Sequence, residues 1–253
     1  MVATGLICAF FIIRADLARR RVSADAEAII GVTGLAGLAG SRLYHLLETP
    51  ATFFADPWPQ LFSTMGFAWF GAVIGGFVAL LWLAHRFRIR WLLMLDIASP
   101  AAALGYGIGR IGCLLSGDGD YGKPTSWAWP WGMSFPHGTY PTTVSCVEQG
   151  WPSNCRVYPT PIYEFLIALV IFWVVWKVGE RALRSRSHAG IVFAWYLMLS
   201  GVARFLIEFI RINPRHQAFF GLTNAQAASL VSILAGALLL AWVRHRSPVG
   251  QPA

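Results

Sequence analysis

Apolar residues form seven long stretches along this chain, separated by short polar connections and one long one. The stretches lie at about 2–14, 26–47, 64–84, 92–116, 161–178, 189–210 and 222–243. A helix of about 20 apolar residues spans the hydrocarbon core of a bilayer. The pattern therefore predicts an all-α integral membrane protein with about seven transmembrane helices in one transmembrane domain, 1–253. The first stretch is shorter than a span, so we expect a short, tilted helix or a chain that lacks an N-terminal stretch.

Basic residues follow every second apolar stretch, and this asymmetry predicts the orientation. Thirteen Lys and Arg residues lie in the connections after the first, third, fifth and seventh stretches, whereas the other three connections hold four. Basic residues accumulate on the cytoplasmic side of a membrane. We therefore expect the N-terminus outside and the C-terminus in the cytoplasm.

The long connection, 117–160, is then expected to face the outside as a small irregular head. Several tryptophans in it favour a membrane–water interface: Trp127, Trp129, Trp131 and Trp151. Cys146 and Cys155 lie in the same connection, where an oxidising compartment favours a disulfide over two free thiols. No Cys/His spacing typical of a metal site is present, so we expect no metal and no cofactor.

The composition indicates a membrane protein and bears on how its net positive charge is interpreted. Of the 253 residues, 56% are hydrophobic and only 13% are charged, about half the charged fraction of a soluble domain. The net charge is +8, but the basic residues form short clusters between apolar stretches and no basic face with interleaved aromatics. We therefore expect membrane lipids, and no nucleic acid, as partners.

Three arginines interrupt the apolar stretches: Arg42, Arg110 and Arg204. A charge at membrane depth is unfavourable by about 2.5–3.5 kcal/mol, so such residues usually serve a function. The planar guanidinium matches phosphate oxygens, and all three arginines fall in the outer halves of the predicted helices. The first hypothesis is an anionic lipid headgroup held between helices. For Arg42, snorkelling towards the outer surface is the alternative.

A glycine-rich loop follows Arg110. Gly109 and Gly112 flank the arginine, and Gly117, Gly119 and Gly122 predict a turn whose N–H groups face an anion. Asp118 and Asp120 are candidates to pair with arginines or to accept a proton. An ordinary outer turn is the alternative.

Two further segments carry ionisable residues. Arg204 and Glu208 are four residues apart and share a helix face, with Arg211 near its outer end. An internal ion pair that only helps the helix to insert is the alternative. Glu164, after Tyr163, is predicted in the first turn of its helix, where the dipole favours a negative charge.

These motifs, in this order, resemble those of the prolipoprotein diacylglyceryl transferases of bacterial inner membranes. The similar segments are the Gly-Arg element at 40–43, the glycine-rich helix at 66–76, the signature loop at 109–122, the motif at 158–164 and the Arg-Phe-x-x-Glu-x-x-Arg helix at 201–211. The chain departs from the family pattern at several positions. Phe70 stands where a His or Tyr is common, and the signature loop is one residue longer.

The resemblance implies transfer of the diacylglyceryl group of phosphatidylglycerol to the lipobox cysteine thiol of prolipoproteins, with release of glycerol phosphate. Arg110 and Arg204 would bind the phosphate and stabilise the charge on the departing phosphoester, and Glu208 would orient Arg204. The expected catalytic residues are Arg110, Arg204, Glu208 and Asp118; the expected substrate-binding residues are Arg42, Gly109, Gly112, Gly117, Gly122, Tyr163, Glu164 and Arg211.

The resemblance also implies the partners and the location. The partners are phosphatidylglycerol and the prolipoprotein signal peptide, and the location is the bacterial inner membrane. The proton of the thiol is expected to go to Asp118, Asp120 or His137. Because Phe70 removes a candidate base, a non-catalytic homologue that binds an anionic lipid is the alternative function. A small transporter is a third hypothesis, but no paired halves or broken helices in matching positions support it.

Overall fold

A computed structural model describes residues 1–63, 66–185, 187–212 and 221–245. The described part contains ten helices and one two-stranded antiparallel sheet. The helices are α1 (Val2–Arg20), α2 (Ala26–Glu48), α3 (Pro50–Ala55), α4 (Pro57–Phe62), α5 (Trp69–Arg86), α6 (Trp91–Ser116), α7 (Thr142–Glu148), α8 (Thr160–Arg184), α9 (Ile191–Ile207) and α10 (Asn224–His245). The strands are β1 (Pro124–Thr125) and β2 (Arg156–Val157).

A long helix lies in each of the seven apolar stretches. Among the described residues, four helices are long and apolar enough to cross a membrane: α5, α6, α8 and α10. Helix α9 is apolar but shorter, with 17 residues. The prediction of a mostly helical membrane protein is confirmed, whereas the number of spans stays a prediction.

The ends of the helices differ from the apolar stretches. Helix α1 continues to Arg20 and α8 to Arg184, so basic residues occupy their last turns, where they complement the helix dipole. Helix α9 ends at Ile207, which leaves Arg211 outside the helix. Three of the basic residues counted for the orientation lie outside the described residues: Arg186 and Arg246 from the basic-rich connections, and Arg215 from a basic-poor one.

The chain divides into two compact units, and one of them comprises Phe10–Ile97. Within it α2 packs against α5 through small residues. A Cβ added to Gly40 would lie 3.1 Å from the Gly75 Cα, so the two backbones approach too closely for larger side chains. Asp16 is fully buried in this unit and accepts from the Arg20 Nε at 2.9 Å.

The other unit comprises Met1–Ala9 and Ala98–Ala253. Helix α9 packs against both α8 and α10. An apolar core joins α6, α8 and α9 through Ala103, Ile171, Val175 and Val192. Helix α6 approaches α8 at Gly107, where an added Cβ would lie 2.9 Å from the Ala168 Cβ.

The segment 117–160 belongs to this second unit and has little regular structure, as expected. It holds α7 and the β1–β2 pair, in which Pro124 faces Val157 and Thr125 faces Arg156. The predicted disulfide between Cys146 and Cys155 is present, with the Cα atoms 6.0 Å apart. The disulfide packs with the buried Tyr121 and Val157.

Candidate active site

Arg110, near the end of α6, is held by two carboxylates. Its Nη1 pairs with Asp120 Oδ2 from the signature loop, and its Nε lies 3.3 Å from Glu164 Oε2 on α8. The centroid of the Tyr106 ring, one helical turn earlier on α6, lies 4.9 Å from the guanidinium carbon. The predicted pairing of Asp120 with an arginine is therefore confirmed.

Arg211, which follows α9, contacts the same two carboxylates. Its Nη2 pairs with Asp120 Oδ1, and its Nη1 lies 3.8 Å from Glu164 Oε1. Its backbone also forms an antiparallel bridge with Gly122, beside a hydrogen bond of 2.8 Å from the Lys123 N–H to the Ile210 carbonyl oxygen. Arg211 was expected near the face of Arg204 and Glu208, but its side chain joins the Arg110 cluster. The reason is that the chain leaves the helix after Ile207 and runs along the loop.

The four groups Arg110, Arg211, Asp120 and Glu164, called the arginine–carboxylate cluster below, balance two positive and two negative charges. The side chains of Arg211 and Glu164 are 5% and 4% exposed, whereas Asp120 is 30% exposed. Burial by itself raises the pKa of the Asp120 carboxyl, but Arg211 and Arg110 outweigh it and hold the pKa below its ordinary value. Asp120 is therefore an anion held by two cations and a weak proton acceptor.

The glycines of the loop support the cluster through their backbone. The Gly117 N–H donates to the Cys113 carbonyl oxygen (3.0 Å), and the Gly122 N–H donates to the Tyr158 carbonyl oxygen (2.7 Å). Of the three glycine N–H groups predicted to face an anion, two therefore already donate to backbone carbonyl oxygens. A Cβ on Gly122 would lie 2.6 Å from the Ile210 carbonyl oxygen, which explains why glycine is needed at this crossing.

The two glycines beside Arg110 differ in their surroundings. A Cβ added to Gly109 meets no atom within 4 Å, whereas one added to Gly112 would lie 3.2 Å from the Met1 Cβ.

Cys113, predicted as a packing residue, lies beside the cluster. Its Sγ is 3.7 Å from Asp120 Oδ2 and 3.9 Å from Arg110 Nη1. Ligand atoms of Cys113, Asp118 and Asp120 lie within 4.8 Å of one another, but arginines already occupy both Asp120 oxygens.

Asp118 and His137, two candidate proton acceptors, are both exposed. Asp118 Oδ1 accepts a hydrogen bond of 3.2 Å from the Asp120 N–H, so the backbone ties it to the more buried carboxylate. The Asp118 carboxylate is therefore exposed to solvent while lying two residues from a member of the arginine–carboxylate cluster.

Arg204 and Glu208 form the predicted pair. Arg204 Nη2 lies 2.7 Å from Glu208 Oε2, and Glu208 is the residue directly after α9. The Arg204 Nη1 is buried and has no hydrogen-bond partner among the described residues. A buried donor in this state is unusual and is a natural contact for an anionic ligand.

Glu164 lies in a different place from the one predicted. Helix α8 begins at Thr160, so Glu164 falls in the second turn rather than the first, where the dipole matters most. Its carboxylate accepts from the Tyr106 hydroxyl at 2.6 Å and faces both arginines of the cluster. The neighbouring Tyr163 points elsewhere, and its hydroxyl donates to the Trp131 carbonyl oxygen at 2.9 Å.

Arg42 lies in the other unit, Phe10–Ile97, and its contacts are with residues of that unit. Its Nη1 donates to the Gly66 carbonyl oxygen at 3.0 Å, and its guanidinium carbon lies 5.7 Å from the Phe67 ring centroid. The side chain is therefore held by protein groups, which argues against snorkelling as its only role.

Sequence reasoning missed Tyr106, which contacts two members of the cluster. Its spacing of four residues from Arg110 on one helix was a usable signal. A tyrosine in an apolar helix is more often a packing residue, so the spacing alone does not indicate this role.

The fold and the cluster define a helical membrane protein with buried arginines set between carboxylates at the end of a helix long enough to cross the bilayer. Comparison with known proteins identifies the family. The sequence model of the prolipoprotein diacylglyceryl transferase family matches residues 1–242, and the chain belongs to this family.

Individual relatives are similar over most of their length. A phosphatidylglycerol–prolipoprotein diacylglyceryl transferase of Clostridium tetani is 30% identical over 243 residues, covering 93% of this chain and 88% of the relative. The protein of the same name from Xylella fastidiosa (strain 9a5c) is 33% identical over 248 residues, covering 89% and 77%. One from Nitrosospira multiformis is 29% identical over 226 residues, covering 87% and 70%.

Proposed function

We propose that this protein transfers the diacylglyceryl group of phosphatidylglycerol to the lipobox cysteine thiol of prolipoproteins and releases glycerol phosphate. The family match over residues 1–242 carries the proposal, and the relatives that the chain matches over most of their length bear that name. The arginine–carboxylate cluster suits the reaction, because the leaving group is a phosphoester whose charge guanidinium groups stabilise.

Four of the predicted site residues have a defined role in this proposal. Arg110 and Arg204 bind the phosphate and stabilise the leaving group, and Glu208 holds Arg204 through the 2.7 Å pair. Asp118 accepts the thiol proton, since Asp120 is already held by two arginines. The remaining substrate-binding positions are Arg42, Gly109, Gly112, Gly117, Gly122, Tyr163, Glu164 and Arg211.

The proposal includes the arrangement in the membrane. Seven helices span the bacterial inner membrane as one domain, with the N-terminus outside, the C-terminus in the cytoplasm and segment 117–160 as a periplasmic head. The asymmetry of basic residues and the disulfide in that segment support this orientation.

The test is transfer by the purified protein in nanodiscs that contain phosphatidylglycerol, with a lipobox peptide as acceptor. The thioether product and glycerol phosphate are both measured. We expect Arg110→Ala and Arg204→Ala to reduce turnover at least about 100-fold, as removal of a transition-state donor does. Arg156→Ala is the matched control, because Arg156 is an exposed arginine on β2.

Two results would contradict the proposal. A folded wild-type protein that makes neither product would exclude transfer between these substrates. Wild-type rates in both arginine variants would exclude the assigned roles. Binding of phosphatidylglycerol without transfer would support the alternative of a non-catalytic lipid-binding homologue, which Phe70 favours because it offers no base.

A further inference from the structure

Tyr106 contacts two members of the arginine–carboxylate cluster at once. Its hydroxyl donates to Glu164 Oε1 at 2.6 Å, which joins α6 to α8. The guanidinium carbon of Arg110, on the same helix, lies over its ring at 4.9 Å from the ring centroid. No other described residue outside the cluster has both a ring contact with Arg110 and a hydrogen bond to Glu164.

The two contacts restrict different motions. A guanidinium prefers to lie over the face of an aromatic ring, so the Tyr106 ring limits where the Arg110 head group can swing. The hydroxyl fixes one oxygen of Glu164, and this leaves Oε2 directed at the Arg110 Nε. One side chain therefore restrains both partners of the Arg110–Glu164 pair.

The helix packing keeps this arrangement in place. Gly107, next to Tyr106, is the point where α6 approaches Ala168 and Phe165 on α8. Ala168 lies one helical turn beyond Glu164, so the close approach brings the Tyr106 hydroxyl within reach of the carboxylate.

We infer that Tyr106 is a positioning residue that holds Arg110 and Glu164 in register for the transfer reaction. The inference rests on the proposed function. Without Tyr106, Arg110 keeps its charge and its carboxylate partners, but its head group loses the ring beside it and Glu164 loses the hydrogen bond that fixes Oε1. The orientation needed when charge develops on the leaving phosphoester is then lost, whereas attraction of the anionic lipid is retained.

Two variants separate the two contacts. Tyr106→Phe keeps the ring under Arg110 and removes the hydrogen bond to Glu164; Tyr106→Leu removes both. The control is Tyr140→Phe, because the Tyr140 hydroxyl also donates to a glutamate carboxylate, that of Glu148 in the segment 117–160. All are assayed in the nanodisc system for kcat and KM, and for Tm.

The expected result is a fall in kcat with KM for phosphatidylglycerol within about twofold. Loss of a hydrogen bond to a charged group predicts roughly a 10-fold lower kcat for Tyr106→Phe. Loss of the ring contact as well predicts a fall of about 100-fold for Tyr106→Leu. Wild-type kcat in both variants would overturn the inference. So would a loss of activity that follows a matching loss of Tm, or an equal loss in Tyr140→Phe.

A second measurement does not depend on turnover. In ¹⁵N-arginine-labelled protein, the Tyr106 ring shifts the Arg110 Nε–H signal, which Arg110→Lys identifies by its disappearance. Tyr106→Leu is expected to move this signal and Tyr140→Phe to leave it unchanged. If the wild type makes no product, the proposed function fails by itself. An Arg110 signal that does not move in Tyr106→Leu defeats the inference in either case.

Discussion

At the scale of single residues, Asp120 is the group on which the two arginines of the cluster converge. Arg110 reaches one of its oxygens and Arg211 the other, and 91 residues separate Arg211 from Asp120 in the sequence. Thr160 also donates to the Asp120 carbonyl oxygen at 2.9 Å. One carboxylate thus ties the signature loop to the helix before it and to the segment after α9.

This arrangement predicts a stability that depends on pH. Because the pKa of Asp120 is lowered in the folded protein, its contribution is complete above its ordinary pKa of about 3.9 and is lost as the pH falls through the lower folded value. Asp120→Asn is expected to lower Tm at pH 7. The difference from the wild type should stay constant down to about pH 5 and narrow below about pH 4.

The control for this prediction is Glu180→Gln. Glu180 is 32% exposed, close to the 30% of Asp120, but pairs with Lys177 on the surface of α8. Exposed pairs of this kind contribute little, so Tm should change little at any pH. A difference for Asp120→Asn that stays the same from pH 7 to pH 3 would contradict the role given to the carboxylate.

The residues that carry charge were predictable, but most of their partners were not. Arg204 and Glu208 were paired correctly because the rule for their spacing is local. The contacts of Asp120 with Arg211, and of Glu164 with Tyr106, join distant parts of the sequence. No periodicity encodes such contacts, since they depend on where α9 ends and on how closely α6 approaches α8.

At the scale of elements, the approach of α6 to α8 depends on one glycine. A Cβ at Gly107 would lie 2.9 Å from the Ala168 Cβ and 3.3 Å from the Phe165 Cδ2, so Gly107→Ala forces the helices apart. We expect it to lower the free energy of unfolding by about 1–3 kcal/mol, the usual effect of overpacking. Denaturation in detergent measures this change.

Gly105 on the same helix provides a matched comparison. A Cβ there meets no atom within 4 Å, so Gly105→Ala adds helix propensity without a clash. It is expected to be neutral or stabilising by up to about 1 kcal/mol. Equal destabilisation by both variants would show that the effect of Gly107→Ala does not come from contact with α8.

At the scale of the whole molecule, the apolar pattern predicted where the long helices lie, because hydrophobic length is a property of the sequence alone. It did not predict where they end. The apolar stretch to residue 210 suggested a longer helix than Ile191–Ile207, and the backbone at Ile210 and Arg211 pairs with the loop instead. The few short elements in 117–160 were not predicted individually, since two-residue strands and a seven-residue helix give too short a pattern.

The orientation in the membrane gives a prediction at this scale. Ser126, in the proposed periplasmic head, and Ser187, between α8 and α9, are both exposed. With a membrane-impermeant maleimide, Ser126→Cys is expected to react in intact spheroplasts and Ser187→Cys only after permeabilisation. The wild type reports any background from Cys8 and Cys113, its free cysteines. The opposite pattern would reverse the proposed topology.

The neutral charge balance of the cluster has a consequence for how a lipid phosphate arrives. Both guanidinium groups already have a counter-ion, and the more exposed of the two carboxylates is Asp120. Under the proposed function, a phosphate that binds Arg110 or Arg211 competes with Asp120 for the guanidinium groups. Since Asp120 also ties the signature loop to both arginines, we predict that a lipid phosphate in the site weakens the hold on this loop.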